Sequence, residues 1–127
     1  MSVVTFPNTV AVVLARLKTA LPGLVFVHDI PTTRPPTFTR VYRTGGPRTN
    51  IVVDGAQLTF ESWAATADLA SGNAELVRAQ LNAFPEVPVS PNPIYKVEEM
   101  SGPAELPDPV SSSRRFTWTV LVHIRGT

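Results

Sequence analysis

The stretch Arg114-Arg-Phe-Thr-Trp-Thr-Val-Leu-Val-His-Ile-Arg125 sets Phe116, Trp118, Val120, Val122 and Ile124 on one phase of a two-residue repeat. Arg115, Thr117, Thr119, His123 and Arg125 fall largely on the other. Successive side chains of a strand point to opposite faces, so this reads as a strand with one face for a core and one for a polar setting. The alternation recurs from Ala56 to Trp63, with Ala56, Leu58, Phe60 and Ser62 facing one way and Gln57, Thr59, Glu61 and Trp63 the other. Asp54-Gly55 just before it marks a bulge or tight turn. Trp63, opposite Leu58 and Phe60, reads as core beneath a helix, with an exposed aromatic anchor as the alternative.

Working outward, Tyr95 to Met100 is a further strand. A long acidic connection follows it through Pro103, Pro107 and Pro109 to Ser111-Ser112-Ser113. Phe38 to Thr44 is β-branched and aromatic and ends at the turn Gly45-Gly46-Pro47, while Leu24 to His28 is a short apolar strand before the proline-rich segment Pro31 to Pro36. Val10, Val13, Leu14, Leu17 and Leu21 follow helical spacing, with Asn8 or Thr5 as cap and Pro22-Gly23 as stop. A second helical stripe, Leu69, Leu76, Val77, Leu81 and Phe84, spans about Ala67 to Ala83, weakened by Ser71-Gly72 and ended by Pro85. The order α-β-β-β-α-β-β predicts an α+β fold: a mainly antiparallel sheet with two helices packed on one face.

The chain has 127 residues, of which 43% are apolar and 17% charged. That length suits one domain covering residues 1–127, with a core that needs no disulfide or metal. Lys and Arg exceed Asp and Glu by one, so no global field draws the molecule to nucleic acid or anionic lipid. No cysteine is present, which excludes a thiol nucleophile, an iron–sulfur cluster and Cys-based zinc. The longest nearly apolar run, Val10 to Ala15, is far shorter than the roughly 20 residues of a membrane helix. No basic-then-apolar leader precedes it, so a chain made and used without secretion and without a membrane is expected.

Catalytic signatures do not assemble. His28 and His123 lack ligand spacing, Ser111 to Ser113 lack a nucleophile elbow, and Gly45-Gly46-Pro47-Arg48 lacks the pattern and following helix of a phosphate loop. Glu98 and Glu99 are strand neighbours, point to opposite faces and form no acid–base pair by themselves. The expectation is no enzyme and no cofactor.

Charge is segregated along the chain. Arg34 to Arg48 holds four arginines and no acid, whereas Glu86 to Asp108 holds five acids and one base, Lys96. Two such regions suit head-to-tail contact between identical subunits, for which a ring is one closed solution. The other reading is that they are ordinary solvated surfaces or pair within one subunit. Arg40 and Arg43, with Tyr42 between them, also suit contact with a nucleic-acid backbone, though no recognition motif surrounds them.

Five stretches carry a family resemblance through their order and the chain length: Met1-Ser-Val-Val-Thr-Phe-Pro-Asn-Thr-Val10; Arg43-Thr-Gly-Gly-Pro-Arg48; Glu61-Ser-Trp-Ala-Ala-Thr66; Tyr95-Lys-Val-Glu-Glu-Met-Ser-Gly-Pro103 with Leu106-Pro-Asp-Pro109; and Arg115-Phe-Thr-Trp-Thr-Val120 running to Arg125-Gly126. The chain resembles the tail terminator proteins of bacteriophages with long non-contractile tails, especially those of actinobacterial hosts. The resemblance implies an α+β virion protein, assembled in the host cytoplasm, whose hexameric ring stacks on the tail tube, ends its polymerisation and joins the head-proximal neck. Its implied partners are itself, the tail tube protein, the neck or head-completion protein, and DNA passing through the lumen without sequence specificity. A head-completion or neck adaptor ring is the alternative, then a small nucleic-acid-binding module. Ser71-Gly72-Asn73 departs from the continuous helix the family implies, so a later start of the second helix is an alternative there. The expected contact residues are Arg40, Arg43, Arg48 and Asn50, then Glu98, Glu99, Glu105 and Asp108 in a second loop, with Arg115 and Arg125 bordering the sheet face used by a neighbour.

Overall fold

Helix α1, Thr9–Ala20, begins where the Asn8 side chain accepts the Ala11 N–H at 3.2 Å. It buries Val10, Val13 and Leu17 and closes with Leu21 N–H on the Leu17 carbonyl before Pro22. In the computed structural model, which describes residues 3–86, 92–107 and 112–127, α2 covers Ala67–Ala83, capped by the Thr66 hydroxyl on Leu69 N–H. Ser71-Gly72-Asn73 lies inside α2 without a break, so the later start does not occur. A single 3-10 turn, Phe84–Glu86, follows.

The face that α2 buries differs from the stripe read from its large residues. Ala70, Asn73, Ala74, Val77 and Leu81 turn inward, and Leu69 and Leu76 stay half exposed. The small Ala70 and Ala74 side chains bring the helix backbone close to the sheet, where the Ser62 hydroxyl donates to the Ala70 carbonyl at 2.8 Å. Close approach, rather than side-chain size, selects the buried face.

Five strands form one sheet: β1 Phe26–Val27, β2 Phe38–Gly45, β3 Val53–Ala64, β4 Ile94–Pro107 and β5 Arg114–Arg125, in spatial order β1-β2-β3-β5-β4. Only the β1–β2 pair is parallel. Register between β3 and β5 is unbroken from Val53 opposite Arg125 to Ala64 opposite Arg114. It sets Leu58 beside Val120 and Phe60 beside Trp118, whose rings stack at 5.1 Å. These residues, with Val41, Ala56, Val122 and Ile124, join Val13 and Leu17 of α1 and Val77 and Leu81 of α2 in the core. Burying each such side chain contributes about 1.5–3 kcal/mol.

Three boundaries depart from the sequence reading. The strand expected over Leu24 to His28 shrinks to two residues. Asp54-Gly55 is not a turn before β3 but part of it, because the preceding loop folds back: Thr49 and Asn50 N–H donate to the Val53 carbonyl and Gly55 N–H to that of Pro47. This close return needs Gly46, at φ +97°, where a Cβ would sit 2.1 Å from the Gly55 carbonyl oxygen. The acidic segment expected as a loop is the second half of β4, which reaches Pro107. Pro103 is tolerated there because β4 is an edge strand and its register shifts between Ser101 and Ala104. Of the expected loop, Pro109 and Ser111 lie outside the described residues. Leu58→Ala should cost about 3 kcal/mol in urea unfolding, whereas Leu69→Ala should stay within about 0.5 kcal/mol of the parent.

Candidate functional site

Because both helices pack on one side of the sheet, the opposite side has no helix or strand over it among the described residues. It carries Phe38, Arg40, Tyr42 and Thr44 from β2, Gln57, Thr59, Glu61 and Trp63 from β3, and Arg115, Thr119, Leu121 and His123 from β5. Glu61 is only 7% exposed at its centre. Its two carboxylate oxygens are shared, one with Arg40 Nη1 and one with Arg115 Nη1, each at 3.5 Å. One buried carboxylate thus holds two guanidinium groups across three strands.

Aromatic rings fix those guanidinium groups further. Arg40 lies 4.3 Å over Tyr42 and its Nε donates to the His28 carbonyl. Arg115 and Arg34 lie 5.1 and 5.0 Å from the Trp63 ring, which also stacks on Phe38. Cations over an aromatic face gain from its quadrupole while the ring screens them from water. Trp63 is therefore buried, but under arginines rather than beneath a helix. Burial pushes the Tyr42 phenol up, Glu61 adds to that, and Arg40 and Arg115 oppose it.

Farther along the same face, hydroxyls replace charges. Thr59 contacts Thr44 at 3.4 Å and Thr119 at 3.0 Å, while Gln57 Nε2 donates to Thr44. His123 closes the row, with Nε2 2.8 Å from Glu98 and Nδ1 3.1 Å from Thr49. His123, with Lys96 second, lowers the Glu98 pKa. The charged cluster, the threonine row and the His123 contacts are three hydrogen-bonded groups along one face spanning β2, β3, β5 and β4, while Trp63 Nε1 and Arg115 Nε have no partner.

The ten candidate residues fall in several places. Arg40 and Arg115 meet through Glu61. Arg43 lies opposite Leu58, on the helix side, and binds Asp54 at 3.0 Å. Arg48 lies 4.8 Å over Phe6, and Asn50 Oδ1 accepts from Val52 and Val53 N–H, shaping the turn into β3. Arg125 donates to the Tyr95 hydroxyl at 3.2 Å. Glu98 and Glu99 do point to opposite faces: Glu98 meets His123, while Glu99 takes a bidentate grip from Arg78 of α2 at 2.6 and 3.0 Å. Glu105 pairs with Arg114. Asp108 lies outside the described residues. Both charged regions are thus largely paired within one chain.

Glu61, Arg78 and the threonine row were not among the candidates. Glu61 could have been found from its place on the polar phase of β3 beside Trp63, but its two partners become visible only with the strand register.

Comparison with solved structures finds a similar chain in the virion of a native gene transfer agent particle, with a TM-score of 0.59 over 88% of this chain and 86% of that one, at 13% sequence identity. The two chains share a fold. No family model matches the sequence, and no curated protein matches it. Among the described residues no helix is long and apolar enough to cross a membrane.

The Arg78 hydrogen bond holds the Glu99 carboxyl below the usual glutamate value, against burial and with help from Asn82. A carboxyl lowered in the folded state adds stability above its unfolded value and loses it as pH falls through the folded one. Glu99→Gln should cost about 1 kcal/mol at neutral pH. Between about pH 5 and pH 3 its unfolding midpoint should fall less steeply than the parent's, as read by circular dichroism melts.

Proposed function

We propose that the chain is a non-catalytic structural protein of a phage-type virion and acts as a tail terminator. The observation that carries this reading is the fold shared, over nearly the whole of both chains, with a chain of a gene transfer agent virion. The order of sequence stretches that resembles tail terminators supports the finer role.

In this reading six copies close a ring on the last ring of the tail tube, stop its growth and present a second surface to the head-proximal neck. DNA passes through the lumen by nonspecific backbone contact. The protein takes no cofactor, is assembled in the host cytoplasm and resides at the head-proximal end of the tail. A terminator needs a face that fits the tube and another that does not nucleate a further tube ring. The two sides of this sheet differ in chemistry, which supports this reading: one carries the polar row from Arg40 to His123, the other a helix layer. The polar side is assigned to contact with neighbouring virion proteins, with Arg40 and Arg115 at its charged end.

Adding the purified chain to polymerising tail tube protein of the same virion tests the role by electron microscopy. Capped tubes of shortened length are expected, with Arg115→Glu weakening the effect. Tubes of unchanged length, together with binding to portal-bearing heads, would instead assign the chain to the neck adaptors.

A further inference from the structure

Gly72 stands inside α2, where glycine costs helix stability relative to alanine, and nothing within the chain requires it there. Its φ is not positive, it is exposed, and a Cβ built on it would meet no atom within 4 Å. Glycine also serves where another backbone must come close. Its neighbours on the outer side of α2 show what that backbone is. Leu69, Gly72, Leu76 and Ala79 are spaced three, four and three residues apart, with Leu69 and Leu76 46% and 51% exposed and Ala79 exposed as well. They form a second stripe, separate from the buried Ala70, Ala74, Val77 and Leu81. A stripe of that spacing suits a facing helix, each large side chain entering a hole between residues of the other.

The order of sizes along the stripe identifies the facing helix. Large and small alternate from Leu69 through Gly72 and Leu76 to Ala79, and turned end for end the same stripe reads small, large, small, large at the same spacing. Gly72 with Leu76, and Leu69 with Ala79, are both centred level with Ala74, so a single two-fold axis matches both pairs at once. We infer that α2 of one copy packs antiparallel on α2 of a second copy, with each Leu76 over the other's Gly72 and each Leu69 over the other's Ala79. A parallel pair would set leucine on leucine and leave a gap at Gly72. Charge does not oppose the contact: Glu75 and Arg78, the charged residues between Leu69 and Ala79, are paired with each other, and Arg78 also with Glu99 of β4. At 17 residues, α2 is about 25 Å long, and one helix pair of that length buries less than a standard interface, so the dimer is weak and reversible. A two-fold contact closes with two copies, and it is separate from the ring contact proposed above and independent of it.

Sedimentation velocity of the full chain, from about 10 µM to about 1 mM, tests the contact. The parent should pass reversibly from the 13.8 kDa monomer to a dimer of about 28 kDa. Gly72→Ala separates contact from fold, because it should move the two in opposite directions. At a concentration where the parent is monomeric it should melt about 4 °C higher by circular dichroism. Its dimer should nevertheless dissociate about tenfold more readily, because the added methyl holds the two backbones apart. Since the chain has no cysteine, oxidation reads the direction: a Leu69→Cys chain mixed with an Ala79→Cys chain should form the mixed disulfide, whereas Leu69→Cys alone should not link to itself. A parent that stays monomeric throughout, a Gly72→Ala chain that dimerises as tightly as the parent, or a Leu69→Cys chain that links to itself would each overturn the inference. A hexamer of about 83 kDa, from the 13.8 kDa chain, that Gly72→Ala leaves intact and that gives no mixed disulfide would keep the proposed ring and reject this contact. The antiparallel dimer in a chain that leaves tail tubes at full length would keep this contact and reject the terminator role.

Discussion

The unbroken pairing of β3 with β5, Val53 to Ala64 against Arg125 to Arg114, is the constraint on which the rest of the molecule depends. A one-residue slip would turn Leu58, Phe60, Trp118 and Val120 away from the helices and drive Glu61 and Arg115 into the core. Held in register, the two central strands separate an apolar side from a mainly polar one, on which Trp63 and Leu121 are the apolar residues. The Phe60–Trp118 stack and the Arg40–Glu61–Arg115 cluster lie back to back across the same backbone. One set of hydrogen bonds positions both.

The two sides handle polar groups differently, which gives each a distinct part in the functional reading. On the sheet face, buried charge is neutralised by register-paired neighbours, and the threonine row and His123 tie the remaining strands together. Side chains already held by such contacts would lose little further freedom on meeting a partner in the proposed role. On the helix side, Ala70 and Ala74 draw α2 down to the sheet and leave Leu69 and Leu76 outward. Arg16 lies over Phe84 with its guanidinium nitrogens shut off from solvent and without a hydrogen-bond partner. Glu61 is satisfied twice over, yet Trp63 Nε1 and Arg115 Nε on the same face, like the Arg16 guanidinium on the other, have no hydrogen-bond partner.

Most of this fold was legible in the sequence. The alternation of Phe116, Trp118, Val120, Val122 and Ile124 gave β5 its bounds, and the residues around Ala67 and Ala83 gave α2 both ends. What failed was decided by tertiary context. Pro103 suggests a loop unless β4 is known to lie at an edge, Asp54-Gly55 suggests a turn unless the preceding loop is known to fold back on it, and Leu69 outranks Ala70 unless the helix is known to sit close to the sheet. The candidate site was less legible for the same reason. Arg40 and Arg115 could each be picked from local pattern, but their union through Glu61 is a cross-strand fact. Most acids of the region read as one patch disperse to Arg78, Arg114 and His123 once β4 is placed.

In the proposed role, the sheet face that carries no helix is the surface other virion proteins meet. Hydroxyl-radical footprinting of the chain alone and bound to tail tubes, read residue by residue by mass spectrometry, tests it most directly. Tyr42 and Leu121, both partly exposed on that face, should lose reactivity on binding while Tyr95 at the β4 edge changes little. Equal oxidation of Tyr42 and Leu121 in the free and tube-bound chain would place the contact elsewhere on the molecule.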